Sequence, residues 1–199
     1  MRVSFRRISL VAASLALFSA CSSEPTSAPQ ARVPAPAAPS ASLAVGVVNA
    51  AEHPVHLPGL RRGSPLTASF TVSQMIGTAG GTLSIPAAGV TVVVPAGALA
   101  SNTLITMTAR RGALVAYDFA PHGITFAKPL VFTQSLNGTS ASLLNVSLLA
   151  LGYYADPSQL TFTGGLVSDL TAGVTNLVSW SFTANIKHFS GYLVSCDRN

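Results

Sequence analysis

Cys21 is the residue whose position most directly predicts a chemical modification. It ends the apolar stretch Ile8–Ala20, which itself follows the basic start Met1–Arg7. This stretch is shorter than the roughly 20 residues that a membrane-spanning helix needs, but it has the length of the apolar region of a signal peptide. The pattern therefore predicts a secretory signal, residues 1–20, whose removal leaves Cys21 to carry lipid on its sulfur.

The residues around the predicted cleavage point support lipidation. The segment Leu17-Phe18-Ser19-Ala20-Cys21 resembles a bacterial lipobox, although Phe18 replaces the usual Leu. An ordinary signal peptidase would have to accept bulky Phe18 three positions before the cut, which disfavours that route. The alternative is that Cys21 is only the last apolar residue of a signal peptide. Multiple acyl chains would hold the mature protein on a membrane without spanning it, and Ser22 in place of Asp favours the outer membrane.

Other residue types that carry chemistry lack the spacing for a recognisable site. The sequence contains no Gly-x-Ser-x-Gly elbow, and its few carboxylates show no paired spacing. His53 and His56 offer two imidazoles without further ligands nearby, and Gly77–Gly81 lacks the lysine of a phosphate-binding loop. The sequence therefore predicts no cofactor, no metal and no conventional active site.

Charge excludes nucleic acid as the expected partner. The formal net charge of +5 falls to +2 once the three arginines of the signal are removed. Arg61-Arg62 and Arg110-Arg111 are the basic pairs that remain, and a solvated surface explains them. Weak contact with anionic lipid or polysaccharide is the alternative.

The mature chain divides by composition. Residues 21–42 are rich in Pro, Ala and Ser, bury almost nothing, and are expected to form an extended tether behind the lipidated cysteine. Residues 43–66 are mixed and are expected to be irregular, with an edge strand as the alternative. From residue 67 to residue 199 the pattern changes to short β-type runs separated by Gly, Pro and Asn.

These runs predict an all-β domain, an antiparallel two-sheet β-sandwich. Several of them alternate apolar and polar residues, as half-buried strands do. Short strands at this spacing favour two packed sheets, and the domain is large enough to have its own core. The predicted strands are 68–73, 81–85, 90–94, 103–109, 113–117, 130–133, 144–154, 159–163, 176–182 and 187–194.

Three segments, in order, resemble the ZU5 domain, a β-sandwich module. The resemblance covers about residues 76–195, and the Pro-His-Gly segment is its most specific part. The segments are Gly80-Gly81-Thr82-Leu83 with Val94-Pro95-Ala96-Gly97-Ala98-Leu99, Pro121-His122-Gly123 with Lys128-Pro129-Leu130, and His188-Phe189-Ser190.

Two of these motifs also have a structural interpretation. Pro95 and Gly97 can end a strand and turn the chain, because Pro cannot donate to a ladder and Gly accepts positive φ. Pro121 and Gly123 would turn the chain in the same way. His122 is then expected to be a structural residue that donates a hydrogen bond to a backbone carbonyl across the turn.

The resemblance implies a candidate reaction at the third motif. Some ZU5 proteins cleave themselves between the Phe and the Ser of this tripeptide. Here Ser190 Oγ would attack the Phe189 carbonyl, His188 would assist the proton transfer, and the ester would hydrolyse. The alternative, which we favour, places His188 and Ser190 on one face of a closing strand with Phe189 in the core.

The expected function is that of a non-catalytic interaction or structural module on a lipid anchor in the cell envelope, with an unidentified protein partner. Self-processing at Phe189-Ser190 is the first alternative, and a glycan-binding surface module is the second. A glycan surface would need exposed aromatic platforms. The candidates for them are Trp180, Tyr117, Tyr153, Tyr154 and Tyr192.

Overall fold

The computed structural model describes residues 54–196, so the signal, the tether and Cys21 lie outside the described residues. The described residues contain no helix long and apolar enough to cross a membrane. Fourteen strands and three short 3-10 turns form the domain. The strands are β1 (Val55–Pro58), β2 (Arg61–Leu66), β3 (Phe70–Ile76), β4 (Gly81–Ile85), β5 (Val90–Val94), β6 (Thr103–Ala109), β7 (Gly112–Leu114), β8 (Ala116–Ala120), β9 (Thr125–Ser135), β10 (Ala150–Tyr154), β11 (Gly164–Val167), β12 (Asp169–Asn176), β13 (Ser181–His188) and β14 (Gly191–Ser195).

Ten of the strands make one antiparallel sheet, in the order β3-β6-β8-β14-β10-β12-β13-β9-β5-β4. The edge strands β3 and β4 lie beside each other, so the sheet is nearly closed. Two smaller antiparallel pairs, β1 with β11 and β2 with β7, complete the domain. The prediction of an all-β antiparallel domain is confirmed, and the nearly closed sheet is compatible with a β-sandwich. The closure leaves little exposed ladder at the edges, which limits pairing with other chains.

Alternation along the strands builds the core. In β5 the residues Val90, Val92 and Val94 are buried, while Val93 between them is exposed. The large cluster inside the sheet also contains Phe132 of β9 and Phe182 of β13. A smaller cluster packs where β1 and β11 cover the outside of the sheet, and it comprises Leu57, Ala116, Tyr154, Val167 and Leu193.

The segment 43–66, expected to be irregular, contributes two strands to the domain. Leu57 in β1 and Leu60, two residues after the end of that strand, are almost completely or completely buried. Pro58 has no N–H to donate, but its carbonyl oxygen accepts hydrogen bonds from Cys196 N at 3.0 Å and Ser195 Oγ at 3.1 Å. The β domain therefore begins before residue 67.

Two predicted strands consist mostly of turn residues. Residues 159–163 begin at the last residue of the 3-10 turn Pro157–Gln159, which Asp156 caps through the backbone N–H of Ser158. Residues 176–182 span the turn between β12 and β13, where Trp180 has a positive φ of 47°. Trp180 was expected in a strand, but it lies in this turn and is half-buried against the core.

Candidate functional site

The first family motif forms a tight junction between chain segments. Gly80 has φ 77°, and a Cβ at this position would lie 2.3 Å from the carbonyl oxygen of Val94. Gly97, with φ 76°, donates its N–H to Thr78 O at 2.8 Å, directly after the strand that Pro95 ends. Only glycine allows this conformation and this approach at Gly80. These residues therefore serve the local backbone geometry.

The second motif reaches the same junction. Lys128 lies in β9, and its Nζ donates to Ala96 O at 2.8 Å from an exposed position. The backbone N–H of Ala127 donates to Ala98 O at 3.1 Å. The lysine therefore bonds to a carbonyl between Pro95 and Gly97, which joins the first and second motifs in space.

Gly81 and Pro129 occupy ladder positions beside that junction. Gly81 begins β4, and a Cβ there would lie 3.1 Å from the Ile76 side chain of β3. Pro129 is exposed in β9, where the pairing with β13 is irregular because Leu130 opposes Ile186 but Thr125 opposes His188. A proline is tolerated at such an irregularity because no ladder donor is required there.

The turn Pro121-His122-Gly123 lies on the surface. The Ala120-Pro121 peptide bond is cis, Gly123 has φ 80°, and all three residues of the motif are exposed. The His122 ring makes no hydrogen bond to any residue within 54–196, so the expected bond across the turn is absent. The turn is closed by backbone geometry instead, and an exposed imidazole can bond to water.

The tripeptide His188-Phe189-Ser190 connects β13 to β14. His188 ends β13, and Phe189 and Ser190 are 2 % and 3 % exposed. Phe189 stacks on Phe119 with ring centroids 5.2 Å apart and meets Phe126 edge-on at 4.7 Å. Phe189 therefore enters the core, and Phe189 and Ser190 lie between the two strands and not within a single closing strand.

The polar atoms of His188 and Ser190 have separate partners. Ser190 Oγ donates to Tyr154 O at 3.2 Å, and Ser190 O accepts from Phe119 N at 3.0 Å. The His188 ring lies 3.4 Å, through Nδ1, from the Tyr192 hydroxyl, which donates to His188 O at 2.8 Å. Among the described residues, the His188 imidazole makes no hydrogen bond to the Ser190 hydroxyl. The tripeptide also has none of the positive-φ backbone that would mark strain.

Tyr192 belongs to an aromatic group with His188 and Tyr153. The Tyr153 ring lies 5.1 Å from the imidazole and 6.0 Å from the Tyr192 ring. Burial raises the pKa of Tyr192 above its usual range, and the nearby carboxylate of Asp169 raises it further. The Tyr192 hydroxyl is therefore a neutral donor that fixes the end of β13.

Three of the five proposed glycan platforms are buried. Tyr117 and Tyr154 have no exposed surface, and Tyr192 is 3 % exposed. A buried ring cannot stack on a sugar, so the prediction of glycan platforms is wrong for these three residues. Tyr153 and Trp180 are half-buried. Among residues 54–196, no group of three or more His, Cys, Asp or Glu side chains is placed to hold a metal ion.

Sequence reasoning missed a cleft of about 380 Å³ beside Arg62. Arg62 of β2 was expected on a solvated surface, but it is only 8 % exposed. The cleft is bordered by Ser64, by the 3-10 turn Pro86–Ala88, by the end of β9 and by the turn 137–139. The residues that border the cleft come from distant parts of the chain, so the sequence carries no local signal for this site.

A hydrogen-bonded network holds the floor of this cleft. Arg62 donates through Nη1 to Leu114 O and through Nη2 to the Tyr117 hydroxyl at 3.2 Å. Tyr117 in turn donates to Gln134 Oε1, and Gln134 Nε2 donates to Ala88 O at 3.1 Å. Burial raises the pKa of Tyr117 to about 12, although the Arg62 charge opposes the shift. The network therefore contains one cation and neutral partners.

The other three arginines of the two basic pairs behave as surface groups. Arg61 donates to Phe162 O at 2.9 Å and its guanidinium lies 4.3 Å above the Phe162 ring. Arg110 forms an ion pair with Asp118 at 2.6 Å, and Arg111 is exposed. Arg62 differs from all three because it is buried without a carboxylate partner among the described residues.

The fold and these motif positions are compatible with a ZU5-like β domain. The resemblance is confirmed, because residues 72–135, from β3 to the end of β9, match the family model described as ZU5 domain. ZU5 domains form a family of protein-interaction modules. The matched segment contains the first two motifs and excludes His188-Phe189-Ser190. No curated protein matches the chain.

Proposed function

We propose that this protein is a lipid-anchored envelope protein whose ZU5-like domain binds a partner protein without catalysing a reaction. The observation that carries the proposal is the match of residues 72–135 to a family of protein-interaction modules. The anchor rests on Cys21 after the signal-like segment, and the extended tether rests on the composition of residues 21–42. The absence of Asp after the cysteine supports the outer membrane as the location.

The contacts of the third motif support a role other than catalysis. Ser190 Oγ and the His188 ring are each engaged with a different tyrosine, and Phe189 is a core residue. A self-cleaving site would instead need the hydroxyl directed at the Phe189 carbonyl with a base beside it. The hydrogen bonds and core packing of these residues thus account for the motif without a catalytic role.

The anchor is tested with the full chain expressed in a bacterial host. We expect the wild type in the membrane fraction, with an intact mass that corresponds to an acylated chain starting at Cys21. Cys21→Ser removes the thiol that would carry the lipid, so it should leave the membrane fraction. An unmodified cysteine in the membrane-derived protein would refute the anchor.

The interaction is tested by photo-crosslinking in the same host. The probe replaces Leu144 or Val178, which are 91 % and 99 % exposed, so the core is not disturbed. We expect a discrete adduct of fixed mass from at least one position, and a second probe at exposed Met75 samples another strand. Crosslinks whose yield follows only the abundance of each host protein would contradict the proposed function. The absence of any adduct at all three positions would contradict it as well.

A further inference from the structure

Arg62 is a buried cation for which the described residues supply no counter-ion. Within residues 54–196, the observed ion pair is Arg110 with Asp118, and no carboxylate lies within ion-pair distance of Arg62. Burying a charge is costly unless it is paired and fully hydrogen-bonded. The contact with the Tyr117 ring, 5.7 Å from the guanidinium carbon to the ring centroid, supplies no negative charge.

The hydrogen-bonding capacity of Arg62 is also incompletely used. An arginine side chain carries five N–H donors, and the protein accepts from two of them, through Leu114 O and the Tyr117 hydroxyl. Arg62 Nε is the buried side-chain atom that has no partner among the described residues. A buried polar group without a partner in a native fold calls for a ligand, water or ion to complete it.

The cleft beside Arg62 has the size and the lining of a ligand site. Its volume of about 380 Å³ falls within the range of small-molecule and side-chain pockets. Ser64 and Asn137 at its rim are exposed, and their side chains make no hydrogen bond to the described residues. Their hydroxyl and amide groups are therefore free to donate to an oxygen-rich ligand.

We propose that this cleft binds the carboxylate of an acidic side chain that a partner protein inserts beside Arg62. The planar guanidinium suits a carboxylate, since its donors match two oxygens. Among residues 54–196, Arg62 is the one charged residue that lines the cleft, so a single negative charge balances the site, whereas a phosphate dianion would leave an excess charge. This inference rests on the proposed function and names the chemistry by which the partner is recognised.

The test uses the full chain and two small probes, N-acetylglutamate amide and its neutral isostere N-acetylglutamine amide, at constant ionic strength. We expect the glutamate probe to raise the melting temperature of the wild type in a saturable way and the glutamine probe to have no such effect. Arg62→Gln should raise the concentration of the glutamate probe that gives half of the melting-temperature shift at least tenfold. Arg111→Gln, which removes the same charge from an exposed position, should leave that concentration unchanged.

A second pair of variants retains Arg62 and leaves the core unchanged. Ser64→Glu places a carboxylate at the rim of the cleft, so it should raise the melting temperature and abolish the response to the glutamate probe. Ser64→Gln is the matched neutral control: it adds no charge and its amide can still donate to the ligand, so it should weaken the response far less than Ser64→Glu does. An equal response in Ser64→Glu and Ser64→Gln would overturn the site even if Arg62→Gln failed to fold.

Other outcomes overturn the proposal in distinguishable ways. No response in the wild type would show that the cleft binds no carboxylate, and a stronger response to inorganic phosphate would overturn the choice of ligand. If Arg62→Gln still gives the same crosslinked partner in the same yield, this inference fails while the proposed function stands. If the glutamate probe binds but no partner is found, the proposed function fails and the carboxylate site stands.

Discussion

Ser190 Oγ donates a hydrogen bond to the carbonyl oxygen of Tyr154 at 3.2 Å, so the hydroxyl of the third motif ties the residue before β14 to the end of β10. Both residues are buried. The bond competes directly with the role that self-cleavage would give this hydroxyl, because its proton is already directed at a carbonyl other than that of Phe189.

We expect the full chain to remain uncleaved between Phe189 and Ser190. Intact mass spectrometry under denaturing conditions should show no separate peptide of residues 190–199. Ser190→Ala should lower the free energy of unfolding by about 1 kcal/mol, since it leaves a buried carbonyl without its donor. Release of that peptide by the wild type, and its loss in Ser190→Ala, would instead establish self-cleavage.

Gly80 should be far more sensitive to substitution than Lys128, although both belong to the family motifs. Gly80→Ala would bring a Cβ within 2.3 Å of Val94 O at a positive φ, and we expect a loss of about 3 kcal/mol or more in urea unfolding. Lys128→Met removes one exposed hydrogen bond and should change stability by about 0.5 kcal/mol or less. Equal losses for the two variants would refute this assignment of roles.

Alkaline pH should destabilise the domain through Tyr117. Its pKa is raised by burial to about 12 from an ordinary value of 10.0, so the folded state favours the neutral hydroxyl. The resulting stabilisation is fully present below pH 10 and is lost as the pH rises from 10 towards 12. Urea unfolding of the wild type at several pH values in this range measures the slope.

Tyr117→Phe should reduce that slope, and at neutral pH it should cost about 1–2 kcal/mol because Gln134 loses a donor in the core. Tyr154 and Tyr192 also have pKa values raised by burial, so part of the slope should remain. Tyr153→Phe, at a half-buried ring, is the control. An unchanged slope in Tyr117→Phe would contradict the prediction.

Gly164 should prove essential for the pairing of β1 with β11. A Cβ at residue 164 would lie 1.9 Å from Leu57 O, which no rotamer change can relieve. We expect Gly164→Ala to expose the amides of β1 to hydrogen exchange and to lower stability by about 2 kcal/mol or more. Gly63→Ala, where the nearest atom would be 3.2 Å away, is the milder comparison. Unchanged protection of β1 in Gly164→Ala would refute the prediction.

The strands that could be predicted from the sequence are those whose pattern is local. Three predicted strands alternate apolar and polar residues and are separated by Gly, Pro or Asn. They are residues 81–85, 90–94 and 103–109, and the structure has strands with the same ends. Gly164 and Gly165 lie outside every predicted strand, because glycine usually marks a turn, but they begin β11. Here glycine is needed instead so that β1 can approach closely.

The parts that could not be predicted depend on long-range contacts. Burial of Arg62 requires Leu114 and Tyr117, which are more than fifty positions away in sequence. The bond from Ser190 to Tyr154 spans 36 positions, and nothing in the tripeptide indicates it. Pro58, usually a sign against a strand, is tolerated because only its carbonyl is required.

The bond between Cys196 N and Pro58 O has a consequence for how the domain can be connected to other sequences. It places the first strand of the domain against the residue that follows the last one. The contact is at the end of β1, so Val55, where that strand begins, is three residues or roughly 10 Å from it. Ends this near each other suit circular permutation, or insertion into a surface loop of a host protein through short linkers.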